Sequence, residues 1–216
     1  MTEFLQQRQQ VVDVCQQLHD SGFFAATGGN LMLRLDDDLV AVTPSATDYQ
    51  SMGVPDIALL RLSDLVQVGG DKSPSVESAM HAGILRRRPE LNCTIHTHQP
   101  LASACALLRC APPVPEALRP LLGDSISVVG YAPSGSGWLA QKLTQAAGHG
   151  RCWLMANHGV VCAATDAAQA LQALQALEQL CADWLTQRIR SNMAASQHEQ
   201  TLQQVLSALQ GSGHGQ

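Results

Sequence analysis

Apolar positions along the chain alternate between a helical and an extended spacing. Between residues 3 and 20, Leu5, Val11, Val12, Cys15 and Leu18 recur close to a helical period, and Gly22 follows as a natural stop, which predicts a first helix. In "FFAATGGNLMLRL", small residues and a glycine pair lead into a strand from about Asn30 to Leu35. The acidic turn "DDD" then joins it to a second strand, "LVAVT", as a hairpin. "TPSATDYQSMGVP" is loop-like, and "IALLRL" and "LVQVGG" are short apolar runs that suit strands. A helical pattern returns from Val76 to Arg87, with Pro74 ahead of it and Pro89 just past its end.

The second half continues in the same way. "LNCTIHT" predicts a strand, "LASACALL" a helix, "APPVPEALRP" a proline-rich loop and "SISVVGY" a strand. "SGWLAQKLTQAA" predicts a helix capped by Ser134 or Ser136. "CWLMA" and "VVCAA" are strands split by Asn157-His158-Gly159, and a long helix from Asp166 to about Arg190 carries a stripe of leucines, Cys181 and Trp184. A last helix is expected from about Ser196 to Leu209. Helices and strands mix without strict alternation and without internal repeats, so the pattern predicts one mixed α/β domain, its sheet partly antiparallel with helices packed on it.

Composition narrows this picture. A chain of 216 residues with 45% hydrophobic residues is read as a single domain spanning 1–216, with 211–216 as a mobile tail. Charged residues make up only 14%, which leaves little surface to solvate and suggests that an oligomer covers part of it. The net charge is −5 and basic residues do not cluster beyond Arg86-Arg87-Arg88, so no nucleic-acid partner is expected. The seven cysteines lack metal-knuckle spacing and mostly sit in apolar runs, where cysteine behaves as a small hydrophobe. No stretch has the length of a membrane span, and the expected location is the cytoplasm.

The candidate chemistry centres on "CTIHTHQP". On a strand, side chains at i and i+2 share a face, roughly 6.6 Å apart at the backbone, so His96 and His98 can converge on one ion. Spacing alone is equally consistent with two polar residues closing a strand. His158, in a tight turn between two apolar strands in "LMANHGVV", is the best third histidine, and three histidines with an open position is the catalytic zinc pattern. His19, His81, His149, His198 and His214 read as surface or core histidines. Glu77 in "KSPSVESAMH" sits at the first turn of a helix behind Ser73 and Ser75. That position suits a carboxylate favoured by the helix dipole, and also an anion site on the same backbone amides.

The ordered set "TGGN", "VTPS", "KSPSVE", "HTH" and "NHG" resembles the class II aldolase/adducin family over roughly residues 8 to 190. The resemblance implies a three-layer fold with a single, mostly antiparallel sheet. It implies a zinc-dependent lyase working through a metal-stabilised enediolate on a small sugar phosphate or polyol acid. An epimerase, dehydratase or decarboxylase on the same scaffold, and a non-enzymatic interaction domain, are the alternatives. His96, His98 and His158 match the metal ligands and Glu77 the acid/base carboxylate; Gly29, Asn30, Ser45 and Ser75 match substrate- and phosphate-binding positions. Family members of this kind are homotetramers with active sites at subunit interfaces.

Three details depart from that pattern or refine it. Ala46 replaces a phosphate-loop glycine, and Val76, expected to be buried, replaces a second serine, so at least one phosphate hydrogen bond is missing. The substrate's anionic group is therefore either a phosphate held by fewer donors or a carboxylate. Proton shuttling by Glu77 calls for a raised pKa created by burial. Neither Tyr49 nor Tyr131 aligns with a second proton donor, and Glu116 reads as a loop carboxylate.

Overall fold

A computed structural model describes residues 4–24, 28–193 and 199–211. Its centre is one sheet of eight strands: β1 Asn30–Arg34, β2 Leu39–Val42, β3 Ala58–Arg61, β4 Gln67–Gly69, β5 Cys93–Thr97, β6 Ile126–Val129, β7 Cys152–Met155 and β8 Gly159–Ala164. They lie in the order β4-β3-β2-β1-β5-β8-β7-β6. Every neighbouring pair is antiparallel except β6 and β7, which run parallel and are joined through a helix, as a parallel crossover requires. The mixed, mostly antiparallel sheet expected from the sequence is the one found.

The helices are α1 Leu5–Asp20, α2 Ser78–Arg87, α3 Pro100–Leu108, the single-turn α4 Arg119–Leu122, α5 Gly137–Ala146, α6 Ala167–Met193 and α7 Glu199–Gly211. They form two outer layers. Leu31 and Leu33 of β1, Ile95 of β5 and Val160 and Cys162 of β8 face α1, α3 and α6 in one core. The alternate residues Met32, Trp153, Val161 and Ala163 face α2 and α5 in a second core. Period-2 side-chain alternation thus buries both faces, so these strands read as continuous apolar runs rather than alternating ones.

Differences from expectation sit at the edges of elements. The last expected helix begins in residues outside the described set, and so does Thr27 of "TGGN". Of the expected tail, Gly211 ends α7 and the remainder is outside the described residues. The proline-rich loop ends in the first turn of α4, where the missing N–H of Pro120 costs nothing. α2 begins at Ser78 rather than Val76, and Val76 is 69% exposed, which corrects the expectation that it is buried.

Candidate metal centre

The three candidate histidines come from two neighbouring strands. β5 and β8 pair with His96 opposite Val161 and Thr97 opposite Val160, so the exit of β5 lies against the start of β8. His158 occupies the turn between β7 and β8, closed by its own N–H donating to the Met155 carbonyl at 3.0 Å. Asn157 takes the left-handed backbone (φ 57) that this turn needs, a conformation asparagine tolerates better than most residues. Gly159 follows because nothing larger fits. A Cβ there would lie 2.4 Å from the Thr97 carbonyl oxygen, 2.6 Å from the His98 ring and 3.0 Å from that of His96.

The exit of β5 is itself anchored. Pro100 opens α3, the buried Gln99 donates to the Leu174 carbonyl of α6 at 3.0 Å, and the Glu178 carboxylate accepts the N–H groups of Leu101 and Ala102 at 2.8 and 2.9 Å. A carboxylate from α6 thus caps the helix that follows the histidine pair. The candidate ligand nitrogens of His96, His98 and His158 all lie within 4.8 Å of one another. The rings meet in tilted or edge-on arrangements, with centroids 4.7 to 5.4 Å apart. His96 is fully buried, His158 half-buried and His98 exposed, so the cluster has a buried wall and an open side.

Glu77 closes the buried wall. Its Oε1 lies 3.2 Å from His158 Nε2 and its Oε2 3.4 Å from His96 Nε2. Asn30 Nδ2 donates to Oε2 at 2.8 Å and the Ser134 hydroxyl to Oε1 at 2.7 Å. Burial pushes the Glu77 carboxyl up, as expected from the sequence. The His158 ring, His96, Asn30 and Ser134 outweigh that and hold it well below the usual carboxylate range. The shift is thus downward, opposite to the raised pKa expected from the sequence.

The cluster fits a cation. His96 Nδ1–H donates to the Val160 carbonyl at 2.8 Å, which leaves Nε2 as a bare lone pair. That atom is buried with no hydrogen-bond partner, and it faces the carboxylate, another acceptor. Two buried acceptors pointed at each other need something positive between or beside them. Burial, opposed by Glu77, pushes the His96 pKa down to about 3, and burial also lowers that of His98. These shifts favour the neutral imidazole that binds metal, and a histidine that donates its other N–H to a carbonyl is the usual arrangement of a metal ligand.

The remaining candidate residues lie on the segments that adjoin Asn30 and Glu77, Glu116 excepted. Gly29 (φ 99) precedes Asn30, which pairs with His96 across β1 and β5, and the Gly29 carbonyl accepts the hydroxyl of the buried Tyr49. Segments 43–45 and 73–75 run antiparallel, with Ser45 N–H donating to the Ser73 carbonyl at 2.9 Å and Ser75 N–H to the Thr43 carbonyl at 3.0 Å. Ser75 Oγ accepts the Glu77 N–H at 3.2 Å, so both serines border the start of α2. Ala46 sits in a left-handed conformation (φ 48) beside them. Glu116 is exposed, in a single turn of 3-10 helix.

Two further residues bear on this centre, Ser134 and His81, the latter a core histidine as the sequence allowed. Ser134, expected only as a possible helix cap, belongs to the β6–α5 connection and reaches Glu77 across 57 residues of chain, which no local signal announces. His81 sits one helical turn after Glu77, the i,i+4 spacing at which two side chains share a helix face, and that signal was legible.

Residues 9–185 match the class II aldolase and adducin N-terminal domain. The chain belongs to the class II aldolase and adducin family. It is 30% identical over 165 residues to 5-deoxy-D-ribulose 1-phosphate aldolase of Bacillus thuringiensis serovar kurstaki, covering 76% of this chain and 77% of that protein. It is 29% identical over 195 residues to 3-oxo-tetronate 4-phosphate decarboxylase of Haemophilus influenzae, covering 86% of this chain and 91% of that one. The fold matches a solved L-fuculose 1-phosphate aldolase with a TM-score of 0.80 at 23% identity, over 94% of this chain and 95% of the other. Family membership fixes the scaffold, whereas the relatives' reactions differ. No helix among the described residues is long and apolar enough to cross a membrane.

Proposed function

We propose that this chain is a zinc-dependent lyase of the aldolase type, cleaving a carbon–carbon bond of a small sugar phosphate or related polyol acid. The observation that carries this reading is the buried carboxylate of Glu77, 3.2 and 3.4 Å from two imidazoles of a three-histidine cluster whose open side faces solvent. Held by His96, His98 and His158, a divalent cation would supply Lewis-acid stabilisation for the negative charge that develops on substrate oxygens as the bond breaks. Three histidines with an open position suit zinc first and manganese, iron or cobalt next.

The chain's own residues do the rest. Glu77, oriented by Asn30 and Ser134, takes the substrate's proton as a carboxylate base, the form that its lowered pKa favours. Ser45 and Ser75, on paired segments beside the start of α2, hold the substrate's anionic end together with the Gly29–Asn30 corner. The Asn30 side chain is already engaged with Glu77 and His81, so its share in substrate binding falls to its backbone. An oligomer belongs to the same reading: Leu107, Leu108, Tyr131 and Trp138 are half-exposed or more.

Decarboxylation is the second reading, favoured by the alignment over 91% of the Haemophilus influenzae decarboxylase. Product analysis on metal-loaded protein separates the two. Incubation with ketose 1-phosphates and with phosphorylated 3-oxo acids should release a three-carbon fragment from the former. Carbon dioxide from the latter, without fragment, would put decarboxylation in its place. A product of unchanged mass would contradict both.

A further inference from the structure

Glu77 is the end point of a chain of hydrogen bonds that runs through the interior. Asn30 Nδ2 donates to Glu77 Oε2 at 2.8 Å; Asn30 Oδ1 is bonded to His81 Nε2; and His81 Nδ1 lies 2.7 Å from the Thr94 hydroxyl. Thr94 and His81 are fully buried, and Asn30 and Glu77 nearly so. The four residues come from β1, β5 and the start of α2, so the chain ties together the three elements that meet at the histidine cluster.

The direction of every bond is forced from one end. The Asn30 atom that meets Glu77 is Nδ2, and an amide NH2 only donates, so its NH2 edge faces the carboxylate. That turns Oδ1 toward His81, and an amide oxygen only accepts, so His81 Nε2 carries the hydrogen. Nδ1 is then the acceptor, and the Thr94 hydroxyl donates to it. Burial, opposed by the nearby Glu77 charge, pushes the His81 pKa down to about 4, which keeps this neutral ring in place at ordinary pH. Replacing the ring by an apolar side chain leaves Oδ1 buried without a donor, and the amide loses the partner that distinguishes its two edges.

We propose that His81 is a positioning residue: through Asn30 it fixes which edge of the amide meets Glu77, and so sets the carboxylate's angle to the three histidines. The inference rests on the reading of Glu77 as the reacting carboxylate. A residue that acts this way behaves like an outer-shell partner of a metal site, whose loss typically costs roughly 10–100-fold in activity or metal affinity.

Two measurements test it. In metal-free protein labelled with 15N-histidine, His81 should show a protonated Nε2 and an unprotonated Nδ1, unchanged between about pH 5 and 8, where a free imidazole would titrate. In the metal-loaded enzyme, His81→Leu should lower kcat roughly 10–100-fold with KM little changed. His81→Gln, which keeps a donor near the Nε2 position, should restore most of that loss, and adding His81→Leu to Asn30→Leu should cost nothing further. An Nδ1-protonated His81 would overturn the relay whatever Glu77 does, as would additive losses in the double variant or no rescue by glutamine. Full turnover in Glu77→Gln would instead remove the functional reading beneath it.

Discussion

Alanine at position 29 tests whether the glycine expected to bind substrate is first of all a backbone requirement. Gly29 has φ 99, outside the region that residues with a Cβ adopt comfortably, and holding alanine there costs about 1–3 kcal/mol. The added Cβ would also lie 2.4 Å from Cδ1 and Cε1 of the Phe24 ring and 3.0 Å from the His96 carbonyl oxygen. Phe24 is 1% exposed and packs on Tyr49 with ring centroids 4.6 Å apart, so its ring has no free space to move into, and such overpacking costs about 1–3 kcal/mol more. The sum, roughly 2–6 kcal/mol, is a large part of the ~5–15 kcal/mol by which a native protein is stable. Urea unfolding of Gly29→Ala beside wild type measures it directly. A Phe24→Leu background should return the packing part and leave the backbone part. A loss below about 0.5 kcal/mol, the range of an ordinary surface change, would refute the reasoning.

Other outcomes follow from the same geometry. Glu77→Gln should retain bound metal and lose about 10²–10⁴-fold in kcat, measured by turnover beside elemental analysis. Native protein should react quickly with a thiol reagent at one cysteine per chain, Cys110, the other six being buried, and at all seven after denaturation. Asp56 is held below the usual carboxylate range by the Gly53 N–H and then by Lys72 at 3.2 Å, with partial desolvation opposing. A depressed pKa contributes stability above the unfolded value near 3.9 and loses it as pH falls through the folded value. Asp56→Asn should therefore cost roughly 0.2–1 kcal/mol at pH 7, with the difference closing in acid; an equal cost at all pH values would contradict it.

The sheet and its two helical layers were legible because both faces of the central strands are buried. Runs such as "LML", "CWLM" and "GVVCAA" are apolar throughout, and the helices between them carry one-sided stripes. Element ends were less legible. Ser75 and Glu77 form a turn of their own, so α2 starts late and Val76 turns outward instead of into the core. The histidine triad could be read because two of its members are i,i+2 at the end of a strand and the third stands in a glycine-bounded turn. The state of Glu77 could not. Burial and four polar neighbours act on it in opposite directions, and two of those neighbours, Ser134 and Asn30, arrive from chain segments about 50 residues away. The helix dipole at one sequence position carries no trace of them.

Metal content tests the central claim most directly. Tag-free protein analysed by elemental mass spectrometry should carry about one zinc per chain, the stoichiometry of a single three-histidine site, and a His96→Ala/His98→Ala variant that remains folded should carry none. Protein that holds no divalent metal, and takes none up on reconstitution, would contradict the account and leave the buried lone pair of His96 facing Glu77 without a physical reason.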